Sequence, residues 1–144
     1  MTVKRLKTFF FFTLAKLPMK GQKRSKLLKM GGAKFADNCS FVGERVIFDT
    51  LYPDNIHLGK HVHITANVTI LTHYLDTSRS GIHWRSGHVY IGDHTFIGTG
   101  TIISKDVRIG NNVIVGAGSV VTKDILDNEI WAGNPARLIK KRNT

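Results

Sequence analysis

The chain has one cysteine and three prolines among its 144 residues. A single thiol, Cys39, cannot form a disulfide within the chain, so the sequence predicts a protein of a reducing compartment, and we expect the cytoplasm. The main apolar run, FFFFTLA, is far shorter than the roughly 20 residues of a membrane-spanning helix. No small-residue cleavage site follows that run, which argues against a secretory signal.

Acidic side chains are absent from the first 34 residues, which contain ten Lys and Arg. The other 11 basic side chains and all ten acidic ones lie in residues 35–144, so the net charge of +11 belongs almost entirely to the N-terminal segment. Such a segment favours anionic surfaces such as lipid headgroups or a phosphorylated substrate. We predict a basic helical segment at 1–34, a folded domain at 35–144 and no nucleic-acid partner.

The N-terminal sequence VKRLKTFFFFTLAKLP predicts a helix that ends before Pro18, and a second short helix is expected over 23–30. In the first helix, one stripe is apolar: Val3, Leu6, Phe10, Leu14 and Leu17. Two interpretations stay open. The helices either cover the end of the folded domain or pack between subunits, or the segment lies on a membrane with Phe inserted and Lys at the headgroups.

A six-residue rhythm runs through the domain. From Ile91 the blocks are IGDHTF, IGTGTI, ISKDVR, IGNNVI, VGAGSV and VTKDIL, and the upstream blocks are LGKHVH, ITANVT and ILTHYL. A period of six would spread the aliphatic residues around a helix, and the glycines and polar pairs interrupt any long strand. Short strands joined by tight turns fit best. Three blocks then form a triangular coil, stacked about 4.8 Å from the next around a columnar core.

These blocks, together with GAGSVVTKD and AGNPARLI, resemble the hexapeptide-repeat acyltransferases, particularly the sugar and polysaccharide O-acetyltransferases of the galactoside, maltose, xenobiotic and capsule types. The resemblance covers about residues 35–142. It implies an all-β fold, a left-handed parallel β-helix of hexapeptide repeats, assembled as a homotrimer. The N-terminal helical segment precedes it, and we expect a short C-terminal helix with Asn134 as N-cap and Pro135 at its first position.

The rhythm breaks between about His73 and His88, and an excursion from the smooth wall of a β-helix forms a cleft. In the resembled family this loop reaches over a neighbouring subunit, and the active site there contains a base histidine. The sequence THYLD puts His73 at that position. The resemblance implies direct transfer of acetyl from acetyl-CoA to a hydroxyl of a sugar or glycan precursor. An imidazole with a pKa near 6.5 suits removal of the hydroxyl proton.

The other candidates for the catalytic site are weighed against structural roles. Asp49 is the candidate for orienting the base, with Asp76 as a weaker one. Where the serine acetyltransferase branch has Asp-His, this chain has Asp49 followed by Thr50, which weakens both serine as acceptor and Asp49 as partner. His88 is either a second catalytic histidine or a loop anchor. Cys39 is not expected to act, because direct transfer needs no acyl-enzyme.

The resemblance also implies a groove for CoA. Eight positions are carried over from the family: Phe96, Thr99, Ala117, Gly118, Thr122, Lys123, Arg137 and Lys140. The first would lie along the pantetheine, the next three would line the wall, the following pair would flank the adenosine, and the last two would meet the phosphates. Most glycines of the repeats are equally explained as corner residues, and Lys123 equally as a solvated charge.

Three alternatives remain open. One is a serine-type or other small-molecule acetyltransferase. A second is a metal site, since His83 and His88 are five residues apart as in the β-helical carbonic anhydrases; their position in the irregular loop argues against it, and we expect no metal. The third is a non-catalytic β-helix that serves as a scaffold.

Overall fold

The computed structural model describes residues 2–37 and 40–143, so Cys39 lies outside the described residues. Two helices come first: α1 (Val3–Leu14) and α2 (Gly21–Met30). The strands follow: β1 (Lys34–Phe35), β2 (Phe41–Val42), β3 (Ile47–Phe48), β4 (Ile56–Leu58), β5 (His63–Ile64), β6 (Thr69–Leu71), β7 (His73–Leu75), β8 (Trp84–Ser86), β9 (Val89–Ile91), β10 (Phe96–Ile97), β11 (Ile102–Ser104), β12 (Val107–Ile109), β13 (Ile114–Val115), β14 (Val120–Val121), β15 (Glu129–Ala132) and β16 (Arg137–Lys141). A short 3-10 helix, Pro53–Asn55, precedes β4.

Three sheets form the walls of a triangular column. The first wall has the strand order β1-β4-β9-β12, the second β2-β5-β10-β13-β15-β16, and the third β3-β6-β11-β14. The chain visits the walls in turn, and successive coils pair in parallel, apart from β15 with β16. Phe96 lies beside Ile114, 18 residues further along the chain, which is three hexapeptides. The predicted parallel β-helix of hexapeptide repeats is therefore confirmed.

The residues that open the repeat blocks form the core. Ile97 and Val115 are paired neighbours on the second wall, and Ile103 and Val121 are paired neighbours on the third. All four are fully buried. Because the paired strands place each opener directly above the previous one, every coil adds one layer of branched aliphatic side chains to the column. The glycines at the second place allow the coils to approach closely: a Cβ on Gly98 would lie 2.5 Å from the next coil.

Helices α1 and α2 cover the first coil. Phe12 meets Phe48 edge-on, with ring centroids 6.3 Å apart, and Phe48 stacks on Phe35. The buried face of α1 consists of Thr8 and Phe12, followed by Ala15, whereas the predicted stripe is half-buried at Leu14 and otherwise exposed. The stripe is thus wrong as a packing face, because four consecutive phenylalanines put apolar groups on several faces of the helix. Within the described ranges, no helix has both the length and the apolar character needed to cross a bilayer.

A buried arginine joins the helices to the column. Arg24 in α2 is 3% exposed, and its guanidinium donates to the carbonyl oxygens of Ala15 and Val42, both at 2.8 Å. It also donates to Leu17 and Met19, at 3.3 Å each. These carbonyls lie beyond the regular pairing of helix and sheet, so Arg24 satisfies acceptors that would otherwise be buried without a donor.

The opposite end of the column corrects one prediction. No helix follows Asn134 in the described residues; instead β16 turns back and pairs antiparallel with β15, and Asn134 and Pro135 lie in the connecting turn. The turn includes Gly133 at φ +104°. The physical reason is that the last strand of the column leaves an edge of unpaired amides and carbonyls, which a returning strand satisfies and a helix would not.

The replacement Arg24→Met should lower the free energy of unfolding by about 2–4 kcal/mol, because buried carbonyl oxygens lose charged donors. Urea denaturation monitored by circular dichroism would measure this. The matched replacement Lys23→Met, at an exposed position of the same helix, should change stability by less than about 0.5 kcal/mol. Equal effects of the two replacements would contradict the capping role of Arg24.

Candidate active site

The break in the rhythm is an antiparallel hairpin, formed by β7 and β8, at the corner where the chain passes from the third wall to the first. It accounts for the longer coil: His63 pairs with Phe96, 33 residues on, where the next coil needs 18. The amide of Gly87 donates to the carbonyl of Thr72 at 2.8 Å and closes the base of the hairpin. His73 stands at this base, opposite Ser86.

Asp76 holds the turn of the hairpin. Its carboxylate accepts hydrogen bonds from the hydroxyl of Ser78 at 2.6 Å and from the amide of Ser78 at 3.0 Å, which lower the pKa of Asp76. Its amide donates to the carbonyl of His83 at 2.7 Å. Asp76, the weaker of the two predicted partners for the base, therefore serves the turn.

His73 contacts Asp49, the stronger predicted partner. Nδ1 of His73 lies 2.6 Å from Oδ2 of Asp49. Asp49 follows β3 on one coil, and His73 follows β6 on the next, so the parallel stacking of these strands brings the two side chains together. The Asp49 side chain is 1% exposed, while the His73 side chain is 29% exposed. With Nδ1 bound to the carboxylate, Nε2 is the nitrogen left for chemistry.

Asp49 is surrounded by donors. Oδ2 also accepts from the hydroxyl and amide of Thr72, at 2.7 and 3.0 Å, and Oδ1 accepts from the amide of Leu51 at 2.8 Å. Burial alone would raise the pKa of Asp49, but the hydrogen bonds from His73, Thr72 and the backbone outweigh it and lower the pKa. The carboxylate is therefore ionised at neutral pH. It accepts the Nδ1–H proton, fixes the tautomer of His73 and stabilises its protonated form.

A cavity of about 340 Å³ opens beside His73. Its lining residues are Leu51, Tyr52, His73, Trp84, Arg85 and Ser86. The ring centroids of His73 and Trp84 are 5.7 Å apart at an interplanar angle of 60°. This arrangement offers a half-buried base, aromatic surfaces and one permanent cation to a molecule in the cavity.

Sequence reasoning did not assign Tyr52, Trp84 or Arg85 to this cavity. Trp84 had a weak signal, since it lies in the break next to His83, but the sequence alone favours a stacked surface pair there. The hairpin pairing, which opposes Leu75 and Trp84 and puts Ser86 against His73, brings β8 to the site. Tyr52 comes from the segment before β4, and no periodic signal marks it.

His88 belongs to a different cluster. It stacks on Tyr90 with centroids 5.8 Å apart and lies 5.6 Å from the ring of His57, and both of these partners belong to the first wall. Its amide donates to Asp106 at 3.0 Å. The structure thus brings His73 and Asp49 together, whereas His88 has the contacts of an anchor where the chain rejoins the column.

The remaining histidines are expected to be solvated. His61, His63 and His94 are exposed, as predicted. His57 differs: it is half-buried, stacks on Tyr90 at 4.4 Å, and its Nε2 is buried with no hydrogen-bond partner among the described residues. Its pKa is lowered by burial and by the neighbouring cations, Lys34 first among them. In the described part of the chain, no group of three or more His, Cys, Asp and Glu side chains is arranged to hold a metal.

The eight positions predicted for CoA are all accessible, and they form separate groups. Phe96 lies on the second wall, and the corner between the second and third walls has Thr99, Ala117 and Gly118, where the amide of Gly118 donates to the carbonyl of Thr99 at 2.8 Å. Thr122 and Lys123 lie at the corner of the hairpin, between the third wall and the first. Arg137 and Lys140 lie on β16. One chain therefore does not gather the eight into a single pocket.

Comparison with known proteins decides the family. The family model "Bacterial transferase hexapeptide (six repeats)" matches residues 88–123. Protein CapG of Staphylococcus aureus is 39% identical over 130 residues, covering 87% of this chain and 74% of CapG. The chain belongs to the hexapeptide-repeat transferase family.

Two further similarities extend this result. YvoF of Bacillus subtilis (strain 168), which is named as an acetyltransferase, is 36% identical over 96 residues, which is 65% of this chain; the chain spans about half of YvoF, 52% of its length. The solved structure of a galactoside acetyltransferase in complex with coenzyme A has a TM-score of 0.72 and 29% identity, covering 97% of this chain and 81% of that one. The predicted family is confirmed, and the hexapeptide-repeat fold extends over nearly the whole chain.

The replacement Asp49→Asn should lower the free energy of unfolding at pH 7 by about 1–3 kcal/mol, because charged hydrogen bonds to a buried carboxylate are lost. The pKa of Asp49 is lower in the folded chain than its ordinary value of 3.8. Its contribution is therefore fully present above about pH 3.8 and is lost as the pH falls through the folded value. Urea denaturation of both proteins from pH 7 downwards should show the difference shrinking in acid.

Asp106 provides the control for this measurement. It is an exposed turn carboxylate, and Asp106→Asn keeps an oxygen acceptor for the amide of His88. That replacement should change stability by less than about 0.5 kcal/mol. A destabilisation by Asp49→Asn that persists undiminished in acid would show that the charge of Asp49 is not what stabilises the fold.

Proposed function

We propose that the protein is an O-acetyltransferase that moves the acetyl group of acetyl-CoA to a hydroxyl of a sugar or glycan precursor. The observation that supports it best is the 2.6 Å contact between His73 and the buried Asp49, at the mouth of a cavity in a hexapeptide-repeat column. We infer that His73 is the general base and that Asp49 orients it. We also infer that the column winds left-handed, as in the resembled family.

The proposed reaction uses His73 twice. Nε2 accepts the proton of the acceptor hydroxyl as its oxygen attacks the thioester carbonyl, and the C=O becomes a tetrahedral oxyanion. Collapse of that intermediate breaks the C–S bond, and the thiolate of CoA receives the proton from Nε2. General base catalysis of this kind contributes about 10²- to 10⁴-fold to the rate. The ionised Asp49 stabilises the imidazolium formed between the two transfers.

Acetyl-CoA is the donor that this chain fits. The similar galactoside acetyltransferase is in complex with coenzyme A. In this chain, Lys123, Arg137 and Lys140 are exposed cations suited to phosphates. At Gly118 a Cβ would meet no atom within 4 Å, so the absent side chain leaves open space along the wall where a ligand can approach the backbone.

We propose a homotrimer, because the two groups of predicted CoA residues stand at different corners of one chain. A neighbouring copy would bring the corner of Thr99 and Gly118 to the hairpin corner of the first. The outer faces support such contacts: Phe96 on the second wall, and Ile47 and Ile102 on the third, are 41%, 55% and 40% exposed. Exposed apolar rows of this kind favour subunit contact over solvent.

We propose that the N-terminal segment gives peripheral contact with an anionic membrane on the cytoplasmic side. Helix α1 exposes Val3, Leu6, Phe9 and Phe10, each by more than half of its surface. The basic side chains of residues 1–34 surround them. Apolar insertion combined with attraction to acidic headgroups is the physical basis of interfacial binding. A lipid-linked glycan would then be presented to the enzyme at that surface.

The replacement His73→Ala should lower acetyl transfer to a panel of mono- and disaccharides by about 10²- to 10⁴-fold while acetyl-CoA still binds, because the base acts in chemistry rather than in donor binding. Thiol release measures transfer, and calorimetry measures binding. His83→Ala, in the same hairpin but outside the cavity lining, is the matched control and should keep its activity. Full activity of His73→Ala would refute the base, and absence of acetyl-CoA binding by the wild type would refute the transferase.

A further inference from the structure

The cavity beside His73 has features that base chemistry does not require. Trp84 is 67% exposed, and Leu51 and Tyr52 are 48% and 43% exposed, so three large apolar side chains surround one opening. Arg85 is the only permanently charged residue among those that line it. The cost of exposing this much aromatic surface next to a cation needs a ligand or a partner to account for it.

We propose that Trp84 and Arg85 select an acceptor sugar that carries a negative charge, either a ring carboxylate or a phosphate ester. The proposal rests on the proposed transferase function and names the acceptor class for the same site. Trp84 would supply a face for the C–H groups of the sugar ring, and Arg85 would pair with the anion. Both residues act in recognition, while the proton transfer remains with His73.

Arg85 is oriented but not saturated. Its Nη1 lies 3.9 Å from Oδ1 of Asp76, an ion-pair distance longer than an N–H···O hydrogen bond. The same Oδ1 accepts both donors of Ser78, at 2.6 and 3.0 Å. The Arg85 side chain is 58% exposed. A guanidinium has five N–H donors in a planar fork, so those that remain are available for two parallel hydrogen bonds to a carboxylate or phosphate.

The geometry puts the sugar near the base. The ring of Trp84 is 5.7 Å from the ring of His73 and inclined to it by 60°, so a sugar stacked on Trp84 would lie next to the imidazole edge. Arg85 follows Trp84 in β8, and both line the cavity. The acidic group nearest the base, Asp49, is buried and balanced by four donors, so it does not offset the positive potential that an incoming anion meets.

The test compares matched acceptors with the full chain: glucose against glucuronate, galactose against galacturonate, and glucose against glucose 1-phosphate. The wild type should have the higher kcat/KM for an anionic member. Arg85→Gln should lower kcat/KM for that member by about 10- to 100-fold, mainly through KM, because a charged hydrogen bond is lost, and should change the neutral member less than about twofold. The anionic preference should also fall as salt is added.

Arg79→Gln is the matched control. Arg79 lies 3.8 Å from the same Asp76 and is more exposed than Arg85, yet it does not line the cavity. It should leave the preference unchanged. Trp84→Ala should lower kcat/KM for charged and neutral acceptors alike, because it removes the surface under the ring rather than the charge. Preference for the uronates assigns the carboxylate, and preference for the phosphate ester assigns the phosphate.

Three results would overturn the inference. The first is a wild type without preference for the charged acceptors, or an Arg85→Gln variant that loses charged and neutral transfer equally. The second is acetyl-CoA binding without transfer to any member of the panel, which rejects these acceptors but not the donor. The third is a changed oligomeric state of Trp84→Ala in sedimentation, which assigns the aromatic surface to a neighbouring copy. Absence of acetyl-CoA binding would instead reject the proposed function itself.

Discussion

In-register pairing of each coil with the next is the constraint on which the rest of the structure depends. Because the strands of each wall are parallel and aligned, every corner residue stands above its counterpart on the previous coil, and the buried aliphatics form one column. Residues inserted at a corner must leave the column and return in register. The segment between β6 and β9 meets this condition as a hairpin closed by Gly87 and Thr72, so its base, where His73 stands, is as well fixed as the wall.

The same pairing creates a need at both ends of the column, where a coil has no neighbour. The chain meets this need in two ways. At the N-terminal end, α1 and α2 cover the first coil, and Arg24 donates to carbonyls of the helix connection and of β2. At the C-terminal end, β16 pairs antiparallel with β15. Both solutions supply hydrogen-bond partners to backbone groups, and neither follows the six-residue rule.

This difference decides how much the sequence could predict. The openers from Ile91 to Val121 and the site of the break were predictable, because a repeat repeats its environment. The contact between His73 and Asp49 could be predicted only as one of two options, since nothing in the sequence fixes which carboxylate the coil brings under the base. The role of Arg24, the buried face of α1 and the strand β16 were not predictable, because each arises once. Trp84 and Arg85 reach the cavity through hairpin pairing, which no periodicity records.

The candidate site follows from the same register, and its charges are arranged in depth. Thr72 and His73 are adjacent in the chain, and both bind Oδ2 of Asp49 from the preceding coil, whose own amide donates to the carbonyl of Ile70 at 2.9 Å. A slip of one residue would turn both side chains to the other face of the wall and leave the buried carboxylate without donors. The orientation of the base is therefore maintained by the folding of the column, before any ligand binds. Residues nearer the solvent, such as Arg85, are free of that constraint and can vary with the acceptor.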